Sequence, residues 1–237
     1  MADKGTQENL TNPSVAAQQI DEGLRIYMTK VYNYMAAGLG LTALTAYLGV
    51  ASGLYQAIAA TWLIWVVMFA PLGMVLWLSA RLPKMTARQA QTMFWLYAAL
   101  MGLSLSFVLL LYTGESVFRT LLVTAGAFGA LSLYGYTTKR DLSAMGAFLF
   151  IGLVGIILAM IANFFIASTA LQFTISVIGV LIFAGLTAYD TQSIKRIYHA
   201  GDTREIAEKK AVMGALRLYL DFINMFLFLL QFMGNRD

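Results

Sequence analysis

Two aspartates stand in apolar surroundings in this chain: Asp190 in GLTAYDTQ, from Gly185 to Gln192, and Asp221 in LYLDFINMF, from Leu218 to Phe226. Of the twelve acidic residues, only these two fall within long apolar runs, the others lying in tails, loops or span ends. An ionised aspartate near the centre of a bilayer costs roughly 2.5 to 3.5 kcal/mol on insertion scales, so such a residue faces the interior of a helix bundle and has a partner. At about 100° per residue, Gly214, Arg217, Asp221, Asn224 and Gln231 form one stripe on their run, and Ser176, Gly179, Thr187 and Asp190 form another on the run before it. Two polar seams on consecutive helices are expected to face each other. Carboxyl groups brought within a hydrogen bond cannot both ionise easily, so the pair would share a proton and titrate as a unit, a proton-sensitive latch. The plainer alternative is an Arg217 to Asp221 pair, four residues apart on one helix, which would neutralise Asp221 and leave Asp190 unexplained.

The elements that position these residues follow from composition. Hydrophobic residues make up 59% of the 237 residues and charged residues 12%, with a mean hydropathy of +0.71. Soluble domains are about one quarter charged, so this is a membrane chain. Seven apolar runs, near residues 31–51, 61–80, 91–112, 117–136, 144–167, 171–192 and 212–233, are each long enough to cross about 30 Å of hydrocarbon as a helix. The ten-residue alternation of a membrane barrel does not occur, so the fold class expected is all-α, an integral membrane bundle of seven helices. Residues 1–30 read as a polar cytoplasmic segment and 31–237 as the seven-helix transmembrane domain. The polar segment lacks the basic start and apolar middle of a cleaved leader, and the first span is expected to act as its own targeting signal.

Orientation follows from lysine and arginine. Thirteen of the sixteen lie in the N-terminal segment and in the loops after spans two, four and six, whereas the alternate connections hold only Arg119. The excess marks the cytoplasmic side, with the N-terminus inside and the C-terminus outside. These basic residues anchor topology and meet anionic headgroups, so the net charge of +4 calls for no nucleic-acid partner. Cysteine is absent, which removes disulfides and thiolate metal sites. The single histidine, His199, reads as a loop residue. Small residues at short spacing, Ala125 and Gly129, Gly152 and Gly155, and Ala184 and Ala188, are candidates for close helix contacts.

The two aspartate motifs resemble those of the sixth and seventh helices of the Bax inhibitor family, and YGYTTKRDLS, from Tyr134 to Ser143, resembles its bacterial branch. The similarity runs from about Gly23 to the C-terminus. It implies a bundle with the last helix central, in the inner membrane of a bacterium, and a calcium leak gated by a pH-responsive pair of aspartates at the positions of Asp190 and Asp221. It also implies an arginine on the second helix that meets one aspartate; Arg81 lies near the end of that span but out of register, with Ser79 closer, so Arg217 and Arg81 are both candidate charge partners. Calcium prefers six to eight oxygens, so Asp190 and Asp221 with Asn224, Thr187, carbonyls and water form a weak site along a pathway, not a tightly bound cofactor. The partners expected are the lipid bilayer, calcium ions and protons, and the protein is not expected to be an enzyme.

Two other readings have distinct signatures. An interaction protein that modulates a membrane-bound protease or a stress response would use the charged stretch from Lys195 to Lys210 as a docking surface for a membrane protein. An intramembrane aspartyl protease would also place aspartates on consecutive spans, but presenilin-like enzymes have a glycine two residues before the second aspartate, where this chain has Tyr219, and a proline motif near the C-terminus. The prolines here are Pro13, Pro71 and Pro83.

Overall fold

The computed structural model describes residues 13–235. The chain forms eight α-helices among the described residues: α1 (Pro13–Ala51), a short α2 (Leu54–Ala59), α3 (Leu63–Arg81), α4 (Ala87–Leu111), α5 (Gly114–Thr137), α6 (Ser143–Ile166), α7 (Thr169–Arg196) and α8 (Arg204–Met233). All but α2 are long and apolar enough to span a membrane, giving the seven-helix bundle expected. Helix ends are set by local chemistry. Thr86 and Gln89 form a capping box at α4, and the hydroxyls of Thr113, Ser168 and Thr203 accept the third backbone N–H of α5, α7 and α8. Gly53, with φ of 72°, makes the left-handed turn between α1 and α2 that other residues resist.

Several boundaries differ from those read in the sequence. Helix α1 runs unbroken from Pro13, so residue 30 marks no structural break; residues 1–12 of the polar segment lie outside the described residues. The connection before the last helix is only seven residues, 197–203, because Thr203 caps α8 eight residues ahead of the apolar run. The stretch from Lys195 to Lys210 therefore joins the end of α7 and the start of α8 through that short connection. Several of its charges are used within the fold: Lys195 Nζ donates to the Tyr136 carbonyl at 2.8 Å, and Lys210 Nζ donates to the Ile197 carbonyl at 2.9 Å and to Asp202 Oδ2 at 2.5 Å.

Helix α8 is the axis of the bundle, packed against α1, α4, α5 and α7, whereas α3 packs on α4, and α6 on α7, at the periphery. Lipid tails are as apolar as leucine, so this arrangement depends on close packing and on internal hydrogen bonds. Tyr219 shows both. Its buried ring meets Phe94 and Tyr97 edge-on at 6.0 and 5.7 Å. Its hydroxyl lies 2.7 Å from Thr42 Oγ1, which in turn lies 2.9 Å from the Ala98 carbonyl, tying α8, α1 and α4 together. A second link joins α1, α5 and α7 through Tyr32, Ser132 and Thr191, at 2.5 and 2.9 Å.

Of the small-residue pairs, Ala188 and Gly152 mark contacts. A Cβ at Gly152 would lie 2.7 Å from Ile182 Cδ1, and Ala188 presents its backbone to Gly135 of α5, a glycine outside those pairs. Gly129 and Gly155 face open space and Ala125 is exposed, so these residues do not mediate helix contacts. Spacing alone identifies small residues on one face but not whether another helix covers that face.

Candidate functional site

The polar stripes of the sixth and seventh spans meet along the α7–α8 contact. At one end Ser176 Oγ donates to Gln231 Oε1 at 3.2 Å. In the middle a Cβ at Gly179 would lie 2.7 Å from the Phe228 ring. Towards the basic end, the carboxyl groups of Asp190 and Asp221 lie within hydrogen-bond reach of each other. A hydrogen bond between two carboxyl groups requires at least one proton between them, so the pair is not doubly ionised in this arrangement.

Asp221 is 4% exposed, and, the proton shared with Asp190 aside, its Oδ2 receives no N–H or hydroxyl donor among the described residues. An acceptor buried without a donor is expensive, and such groups mark functional sites or await a ligand. Both aspartates line a groove of about 720 Å³ between α6, α7 and α8, open on one side, with Arg217, Asn224 and Tyr189 at the same end. Asn224 gives one amide N–H to its own helix at Leu220 O, 2.8 Å, which leaves its carbonyl oxygen and its second N–H for the groove.

The charge partners divide clearly. Arg217 stands close enough for its charge to act on both aspartates. It is nevertheless exposed and in no ion pair among the described residues, so the simple Arg217 to Asp221 pair is not formed. Arg81 ends α3, a helix packed on α4 away from the α7–α8 seam, and has no ion pair among the described residues. Thr187 is fully buried and donates to Phe183 O at 2.8 Å; it lies beside the seam and is not part of the groove lining.

Two arrangements near the basic end were not legible in the sequence. Arg196 Nη2 lies 2.7 Å from Asp141 Oδ1 and 2.5 Å from Gln192 Oε1, and its Nη1 lies 3.0 Å from Ser143 Oγ. Gln192 also accepts the Leu142 N–H and donates to Arg140 O, so the α5–α6 connection is fastened to the last turn of α7. Asp141 is held down at about 2 by the Ser143 hydroxyl and backbone N–H and then by Arg196. Separately, Glu208, 9% exposed, accepts from Lys30, Tyr34 and Gln91 and joins α8 to α1 and α4. The signal for Glu208 was the capping threonine at Thr203, which places Glu208 in the second turn of α8, on the buried face with Ala211 and Ala215.

A sequence model described as inhibitor of apoptosis-promoting Bax1 matches residues 24–237 of this chain. The chain belongs to the Bax inhibitor family. Relatives extend over nearly its whole length. Protein RP147 of Rickettsia prowazekii is 47% identical over 217 residues, covering 91% of this chain and 92% of that protein. The inner membrane protein YbhL of Escherichia coli is 47% identical over 218 residues, covering 90% and 93%, and a protein of Deinococcus radiodurans is 43% identical over 225 residues, covering 94% and 96%. As a Bax inhibitor family member the chain is an integral membrane protein of seven spanning helices.

Proposed function

We propose that this protein is a pH-sensitive calcium leak of the bacterial inner membrane, gated by the Asp190–Asp221 pair, and not an enzyme. The observation that carries the reading is a carboxyl pair contributed by consecutive helices at the polar end of a groove, with Asp221 Oδ2 lacking any N–H or hydroxyl donor beyond that pair. A shared proton holds α7 to α8. Loss of that proton leaves two negative charges a hydrogen bond apart, whose repulsion favours separation of the helices. The separated carboxylates, with the Asn224 carbonyl, then provide a few oxygens for a divalent cation in transit. Calcium is cargo here, and so small a donor set suits passage, since an ion must leave as readily as it enters. The titratable or charged groups facing the pair are Tyr189 from α7 and Arg217 from α8, while α6 contributes the uncharged Ser143. The inner-membrane location is taken from YbhL, and the lysine and arginine bias supports a cytoplasmic N-terminus.

The test is calcium flux into proteoliposomes between about pH 5 and 8, the range in which a carboxylate with a like-charged neighbour titrates. Asp190→Asn and Asp221→Asn should each flatten the pH profile, Asp221→Asn should also lower flux about tenfold by removing a charged donor from a weak site, and the double variant should show less than the sum of the two effects. Wild-type profiles in both single variants would remove the pair from the gate. Cleavage of a membrane substrate in place of flux would favour an aspartyl protease.

A further inference from the structure

The axial helix α8 is reached from outside the bundle by a cavity of about 400 Å³ between α1, α4, α5 and α8. Its floor is Phe222, Ile223 and Phe226 of α8, all buried. Its mouth lies between Gly40, Ala43 and Tyr47 of α1 and Leu121 of α5, all exposed. Small residues keep the mouth open, and a Cβ at Gly40 would meet no atom within 4 Å. The lining is apolar except for two hydroxyls. That of Thr42 is already bonded to the Gly38 and Ala98 carbonyls and to Tyr219, and that of Tyr47 belongs to a side chain at the mouth. All four helices are long and apolar enough to span a membrane, and the mouth falls within the apolar run 31–51, so it opens on hydrocarbon.

We propose that this cavity holds one acyl chain of a membrane phospholipid, recognised by its hydrocarbon and not by its headgroup. Other occupants fail on size or polarity. A buried water needs two to four polar partners, and the hydroxyl inside the cavity, Thr42, is already bonded. A lipid headgroup would lose its hydration against a lining that contains no charged side chain. A helix about 10 Å across takes roughly 850 Å³ for two turns, about twice the space present. A single flexible chain is narrower than a helix, and the volume lies within the range of small-molecule pockets. Left empty, the cavity would cost Phe222, Ile223 and Phe226 the dispersion contacts on which packing in lipid depends; a chain supplies them. The site does not depend on the calcium reading. It does place lipid against the helix that carries Asp221, since Phe222 is the next residue.

Photolabelling of the full-length protein in lipid nanodiscs tests the site, with phosphatidylcholine carrying a diazirine midway along one acyl chain. Mapping by mass spectrometry should find adducts on Phe222, Ile223 and Phe226, which lipid reaches only through the cavity, as well as on exposed residues such as Phe148 and Phe164 of α6. Gly40→Trp, whose ring enters the open space, should lower the α8 adducts at least about tenfold; Ala43→Phe, from the same side of the mouth, is the second variant should the first not fold. Unchanged α6 adducts report an intact bundle in each. Leu44→Trp, exposed and outside the lining, should leave the α8 adducts as they are. Phosphatidylglycerol with the same labelled chain should label α8 as strongly as phosphatidylcholine. A wild-type protein without α8 adducts would overturn the proposal, and a disulfide-linked dimer of Ala43→Cys would then give the cavity to a second copy. Adducts on α8 that survive both plugging variants, or that differ about tenfold between the two headgroups, would overturn it as well.

Discussion

Arg196 in the last turn of α7 holds Asp141 in the α5–α6 connection at 2.7 Å, fixing the head of α6 beside the groove that contains the aspartate pair. Asp141 titrates near 2 in the folded protein, below its ordinary value of about 3.9. A lowered carboxylate contributes stability above its unfolded value and loses it as pH falls through the folded one. The clamp is therefore complete at every pH above about 5. Asp141→Asn should leave the pH midpoint of calcium flux between pH 5 and 8 unchanged, while the small gap in melting temperature between variant and wild type at pH 7 should shrink below about pH 4. A shifted flux midpoint would move the sensor from the pair to this clamp.

Arg217 is the cation whose charge acts on both aspartates. A nearby positive charge favours ionised carboxylates, so in Arg217→Leu the pair should keep its proton to higher pH, and the pH of half-maximal flux should rise by about half a unit or more. Arg81→Leu should leave the profile in place. The reverse pattern would assign the charge partner to α3.

Glu208 holds three partners on two other helices. Glu208→Gln should lower stability by about 1 to 2 kcal/mol, a modest figure because the Lys30 side chain is 43% exposed and solvent screens part of the pair. Thermal unfolding in detergent would measure this, with Glu22→Gln, from the exposed pair with Arg25, expected within about 0.5 kcal/mol of wild type. Equal effects of the two substitutions would show that Glu208 is not a hub of the fold.

Gly135 lets α5 approach the backbone of α7 at Ala188, where an added Cβ would strike the Ala188 carbonyl. Gly135→Ala should cost about 1 to 3 kcal/mol as the two helices move apart. Gly129→Ala, which meets open space on the same helix, should be neutral or stabilising by up to about 1 kcal/mol. Melting temperatures of the two variants, run side by side, decide whether close approach at this crossing matters.

The seven spanning helices were legible in the sequence because lipid supplies no hydrogen bonds to a backbone, so every long apolar run must be helical; the short α2 was not. The pairing of Asp190 with Asp221 was legible for a related reason: a carboxylate in hydrocarbon must turn inward, and helical periodicity sets which face does so. Tertiary structure decided what depends on neighbours distant in sequence. Glu208 was one of eight charged residues from 195 to 210, and only the start of α8 at Arg204 brings it beside Lys30, 178 residues away. Gly135, and not Gly129, became the contact because packing, and not spacing, determines which face of a helix another helix covers. The exposed position of Arg217, the Asp221 oxygen without an N–H or hydroxyl donor and the groove along α6 likewise arise from the peripheral placement of α6, which leaves one side of the α7–α8 seam open to lipid. Local pattern records what each helix must bury; which helix covers it depends on long-range packing and cannot be read from that pattern.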